Sequence, residues 1–130
     1  MRQIMLAGVF VLVAAGAASA QPAEPARPTM KCFFANQFQD WKAPDAKTIF
    51  IRVTPERYFR LDLAGECGLL RFPDSHLITV FRGSDTVCSA LDWDLKVAQS
   101  PNGIPEACIV KSMTELAPAE VQAIPPHFRP

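Results

Sequence analysis

Side chains able to do chemistry are few and scattered: two histidines, His76 and His127, and four cysteines, Cys32, Cys67, Cys88 and Cys108, in 130 residues. The densest acidic group lies in Leu91-Asp92-Trp93-Asp94-Leu95-Lys96-Val97. On a strand, Asp92, Asp94 and Lys96 share one face, and Trp93, Leu95 and Val97 share the other. Two carboxylates on one face suit acid–base work or a divalent cation. The plainer expectation is a solvated face, with Lys96 offsetting repulsion and Trp93 in the core. No EF-hand-type loop supplies the further oxygen ligands that calcium wants, so neither metal nor cofactor is expected. Asp74-Ser75-His76 contains the residue types of a nucleophilic triad. Such a triad needs groups converging from separate elements, whereas neighbours on one turn diverge, so no catalytic residue is assigned. Tyr58 and Arg60, with Arg52, form an aromatic and guanidinium surface able to stack on or fork to a sugar or an anion. Ordinary cross-strand pairing is the simpler role for them. Tyr58, Arg60, Asp92 and Asp94 together make the candidate ligand face.

The elements that must carry these residues show mostly a period of two. Thr48–Val53 sets Ile49, Ile51 and Val53 against Thr48, Phe50 and Arg52, and Tyr58–Leu63 sets Phe59, Leu61 and Leu63 against Tyr58, Arg60 and Asp62. With Thr54-Pro55-Glu56-Arg57 between them, the two runs predict an antiparallel hairpin. A first strand is expected within Phe33–Trp41, a short helical turn through Leu70, and a strand over His76–Phe81. Gly83-Ser84-Asp85 marks a turn. A second hairpin is expected from Leu91–Ala98 and Ala107–Met113 around Ser100-Pro101-Asn102-Gly103. Pro118–Ile124 is the one predicted α-helix, with Pro118 at its first position, Glu120 in its first turn and Ala117 as a poor cap. The expected fold is mostly β: a small antiparallel barrel or sandwich of five to six strands with one or two short helices, held by disulfides. Its order of elements would also fit a partly open Greek-key barrel of the oligonucleotide/oligosaccharide-binding type.

At the amino end, Met1-Arg2-Gln3 is followed by an uncharged apolar run from Ile4 to Ala18 and by Ala18-Ser19-Ala20. A basic start, an apolar centre and small residues at the cleavage point define a secretory signal over 1–20. The run is too short to span a bilayer, and no cysteine stands at the cleavage point to take a lipid anchor. Residues 21–29, with prolines 22, 25 and 28, read as an extended linker, 30–124 as a single β-rich domain and 125–130 as an irregular tail. Basic and acidic residues balance, 13 against 13, and scatter along the chain. That excludes the clustered charge of a nucleic-acid binder and leaves no amphipathic stretch for membrane insertion after signal cleavage.

An even cysteine count in a small exported chain favours two disulfides. No close cysteine pair suggests zinc, and there is no C-x-x-C redox motif. Four cysteines allow three pairings; joining Cys32 to Cys108 and Cys67 to Cys88 would tie the first and last strands together.

The run Trp41 … Tyr58-x-x-Leu61-Asp62-Leu63 … Cys67, then Leu77, Val87-Cys88 … Asp92 … Val97 … Cys108-Ile109 resembles an uncharacterised family of small exported proteobacterial proteins, a domain of unknown function. The resemblance spans Cys32 to Leu116, with all four cysteines at matching places. It implies a periplasmic or secreted setting and paired cysteines, and supplies no activity. The expected function is a non-enzymatic binding or interaction module for an envelope protein or small ligand. The alternative is a small metal-dependent or hydrolytic enzyme using Asp92, Asp94 or His76.

Overall fold

The computed structural model describes residues 32–130; the expected signal and linker lie outside the described residues. The fold grows from the hairpin that alternation dictates. Strand β3 (Thr48–Thr54) and strand β4 (Arg57–Leu63) pair antiparallel through Ile49↔Leu61, Ile51↔Phe59 and Arg52↔Tyr58, with Pro55-Glu56 at the turn. Ile49, Ile51, Val53 and Leu61 are wholly buried, and Phe59 and Leu63 nearly so. Burying such side chains contributes about 1.5–3 kcal/mol each relative to leaving them exposed. This hairpin is the nucleus of a four-stranded sheet, flanked by β2 (Asp40–Lys42) against β3 and by β9 (Val110–Glu115) against β4.

A three-stranded sheet packs its apolar face onto the same core. It comprises β5 (His76–Phe81), β7 (Trp93–Ala98) and β8 (Glu106–Cys108), in the order β5-β7-β8. Trp93, Leu95 and Val97 point inward from β7, as their spacing predicts. A third sheet is the two-residue pairing of β1 (Phe33–Phe34) with β6 (Thr86–Val87). Phe33 is the hub of the core. Its ring lies 5.2 Å from Phe59 of the large sheet, and 6.2 Å and 6.3 Å from Trp93 and Phe81 of the smaller one. Gly83, the one described residue with positive φ (92°), turns the chain between β5 and β6, where a side chain would be strained.

The described residues are thus mostly β, in three antiparallel sheets of nine strands that do not close into a barrel. There are more strands than the five or six expected because two predicted strands are each divided between sheets and because Thr86–Val87, where no strand was expected, forms β6. The first splits into β1 and β2: the Gln37 side chain takes the Phe34 N–H at 2.9 Å, and a 3₁₀ turn over Ala35–Gln37 redirects the chain. The last splits at Ile109. Cys108 stays in register with Leu95 of β7, while Val110 crosses to Leu63 of β4. At the crossing, the Ile109 carbonyl accepts the Ala64 N–H at 2.9 Å.

The disulfides join Cys32 to Cys88 and Cys67 to Cys108, correcting the expected Cys32–Cys108 and Cys67–Cys88 pairs. Strand register explains the first. Phe33 pairs with Val87, so Cys32 and Cys88 are the next facing residues of the same ladder, with Cα atoms 4.1 Å apart. The second fastens β8 to the residue that precedes a 3₁₀ turn over Gly68–Arg71.

Helix α1 (Pro118–Ala123) follows β9. Ala117 has no polar side chain to cap the first-turn N–H groups, but the Glu120 carboxylate accepts the Ala117 N–H at 2.7 Å, the reciprocal half of a capping box. At the other end Arg129 donates to the carbonyls of Gln122 and Ile124 at 3.0 and 2.9 Å, satisfying C-terminal acceptors. The final residues, expected to be irregular, carry a 3₁₀ turn over Pro126–Phe128. Among the described residues no helix is long and apolar enough to cross a membrane.

Candidate functional site

The four residues expected to form one ligand face fall on different surfaces. Tyr58 and Arg60 lie on the outer face of β4, opposite Arg52 and Phe50. Asp94 lies on β7 in the other sheet, opposite Val80, with Arg82 Nη2 3.9 Å from its carboxylate. Asp92 is not on a strand. The strand begins at Trp93, and Ala90–Asp92 form a 3₁₀ turn, so the alternation that placed Asp92 beside Asp94 does not reach it. Its carboxylate instead accepts the N–H groups of Cys88 and Ser89, both at 2.8 Å, and the Ser89 hydroxyl at 3.2 Å. The Cys88 N–H, then that of Ser89, holds the Asp92 carboxyl below its ordinary range by stabilising the anion. Asp92 fixes the loop that carries Cys88 and does not pair with Asp94.

The Asp74-Ser75-His76 set does not converge. Ser75 is buried, with its hydroxyl donated to the Leu69 carbonyl, while His76 is exposed at the start of β5 opposite Ala98. Cys67, Glu106 and Cys108 bring potential metal-ligating atoms within 4.8 Å of one another. Both sulfurs, however, are joined to each other, and the Glu106 carboxylate accepts the Leu69 N–H at 3.1 Å. A disulfide has no thiolate to offer a metal.

What the fold does assemble is a charged cleft of about 670 Å³ beside the outer face of the large sheet. Arg60 and Asp62 reach it from β4, Ser112 and Lys111 from β9, Lys47 from the approach to β3, and Glu66 and Arg71 from the segment after β4. Its carboxylates are engaged. Asp62 accepts Arg60 Nε–H at 2.8 Å and the Ser112 hydroxyl at 3.1 Å; Glu66 meets Arg71 at 3.3 Å; and Asp45 accepts the Lys47 backbone N–H at 2.7 Å. The ammonium groups of Lys47 and Lys111 are exposed and have no side-chain partner among the described residues. A second groove, of about 490 Å³, is lined by Trp41, Phe72, His127 and Phe128. Sequence reasoning found Arg60 but missed Lys47, Arg71 and Lys111. No local pattern marks them; Lys111 meets Arg60 because β9 pairs with β4 through Asp62↔Ser112, Lys47 because β3 pairs with β4 through Thr48↔Asp62, and Arg71 comes from the 3₁₀ turn after β4.

A small antiparallel β domain with two disulfides and an open polar cleft is the class of protein the structure defines. The chain belongs to the family of unknown function DUF6491, whose model matches residues 1–127. No curated protein and no solved structure matches it significantly.

Proposed function

We propose that this protein is an exported, non-enzymatic binding module whose charged cleft takes an anionic group, from a small ligand or an acidic segment of an envelope partner. One observation carries the reading: cleft carboxylates held by Arg60, Arg71, Ser112 and backbone, beside the uncommitted Lys47 and Lys111. Committed acids leave little freedom for proton transfer, whereas ammonium donors on a sheet strand (Lys111) and just before one (Lys47) are ready to meet carboxylate or phosphate oxygens. The basic–apolar–small pattern of residues 1–20 and the two disulfides support a periplasmic or secreted setting.

The test titrates the oxidised protein with pyrophosphate and with citrate, following backbone amide shifts. Saturable shifts are expected at Lys47 and Lys111. The double variant Lys47→Ala with Lys111→Ala should weaken binding roughly tenfold, the scale of two exposed ion pairs. Shifts that do not saturate at millimolar anion, or affinity unchanged in the double variant, would overturn the reading.

A further inference from the structure

The edge of the three-stranded sheet is unprotected. Strand β5 reads His76-Leu-Ile-Thr-Val-Phe81, with no charge, no proline and no bulge, and among the described residues it pairs only with β7. Native sheets usually blunt such an edge with a lysine, a proline or a covering loop. Here Ile78 and Val80 are instead 41% and 59% exposed on its outer face.

The hydrogen-bond alternation shows which groups are free. Arg82 N–H donates to the Asp92 carbonyl at 2.9 Å, continuing the register in which Val80 faces Asp94 and Ile78 faces Lys96. Even-numbered residues therefore exchange their main-chain bonds with β7, and Leu77, Thr79 and Phe81 turn their N–H and C=O groups outward. Among the described residues these outward groups have no partner.

We propose that this edge pairs with β5 of a second copy of the chain, antiparallel about a two-fold axis at Thr79. Only a register of this parity matches outward groups with outward groups. Leu77 then bonds Phe81 of the second copy, Thr79 bonds its own counterpart, and every outward donor and acceptor of the strand is used. In the same register Ile78 sits opposite Val80 twice, covering the exposed apolar side chains with each other. Arg82, two-thirds exposed, comes opposite His76 and near Asp74 in the turn just before the strand, a carboxylate without a partner among the described residues, so Arg82 and Asp74 of the two copies complement one another. The proline-rich residues 21–29 fit the edge poorly, since prolines at 22, 25 and 28 lack the N–H donors that the outward carbonyls require. The result is a closed, isologous pair of sheets rather than a growing fibre.

An interface of one strand edge is small, so the association is concentration-dependent, with dissociation in the range of about 1 μM to 1 mM. Sedimentation velocity on the oxidised protein tests it: the weight-average mass should rise from monomer toward dimer across that range. Val80→Lys, at an exposed position, should hold the protein at the monomer mass with an unchanged melting temperature. Because non-hydrogen-bonded facing residues have Cα atoms about 4.5 Å apart, Ile78→Cys protein mixed with Val80→Cys protein should cross-link under mild oxidation, and neither variant alone should do so. A mass that stays monomeric overturns the proposal. So does association that Val80→Lys leaves intact, or a dimer whose mixed cysteines fail to link.

Discussion

Replacing Cys67 and Cys108 together by alanine opens a loop of 41 residues, and replacing Cys32 and Cys88 opens one of 56. In the loop-entropy treatment each cross-link of this span restricts the unfolded chain by about 4 kcal/mol. Cys67 is also 1% exposed within the core, so deleting its sulfur leaves a small void costing roughly 1 kcal/mol more. Expected losses are therefore about 5 kcal/mol for the first double variant and about 4 kcal/mol for the second. Domains of this size have total stabilities of about 5–15 kcal/mol, so either loss brings the protein close to unfolding. At about 4–8 °C per kcal/mol the melting temperature should fall by roughly 20–40 °C in the first variant and roughly 16–32 °C in the second. Urea denaturation followed by tryptophan fluorescence gives the free energies, and non-reducing peptide mapping of the parent gives the connectivity. A loss below about 1 kcal/mol in either double variant would refute the argument that these links carry much of the stability. A map joining Cys32 to Cys108 would refute the register that places Cys32 opposite Cys88.

Two further outcomes follow from the packing and the loop. Phe33→Ala empties the junction between the sheets and should cost about 3–5 kcal/mol, whereas Phe34→Ala, 56% exposed on the adjacent residue, should stay within about 0.5 kcal/mol. Equal effects in thermal melts would mean that Phe33 does not join the two sheets. Asp92→Asn should lower stability by about 1 kcal/mol near neutral pH by weakening the bonds to Cys88 and Ser89. Because folding lowers the Asp92 pKa from its ordinary 3.8, the charged form's advantage is complete above that value and disappears as pH falls through the lowered one. The gap between parent and variant should therefore close in strong acid, and a gap independent of pH would contradict the capping role.

The legible part of the fold was its local part. Alternation in Thr48–Val53 and Tyr58–Leu63 encodes which side chains of the first hairpin are buried, because successive residues on a strand must face opposite ways. The strand over His76–Phe81 and the helix after Ala117 were legible for the same reason: each is written in neighbouring residues. Where the chain changes sheets, at Ala35–Gln37 and at Ile109, no local pattern marks the break, since both sides of it remain β-forming. Asp92 shows the limit at a single residue: its spacing from Asp94 fits a strand face, but its carboxylate is used by the backbone of a preceding turn.

By itself, the sequence determined an even set of cysteines, a basic-then-apolar amino end, a mostly β chain and the inward faces of its hairpin strands, all properties of composition or of near neighbours. Only the tertiary structure decided which cysteines face each other, that Phe33 joins two sheets, that Lys47 and Lys111 share a cleft, and that β5 is an edge. Those depend on strand register between segments far apart in sequence, and a shift of one residue would turn each side chain to the opposite face.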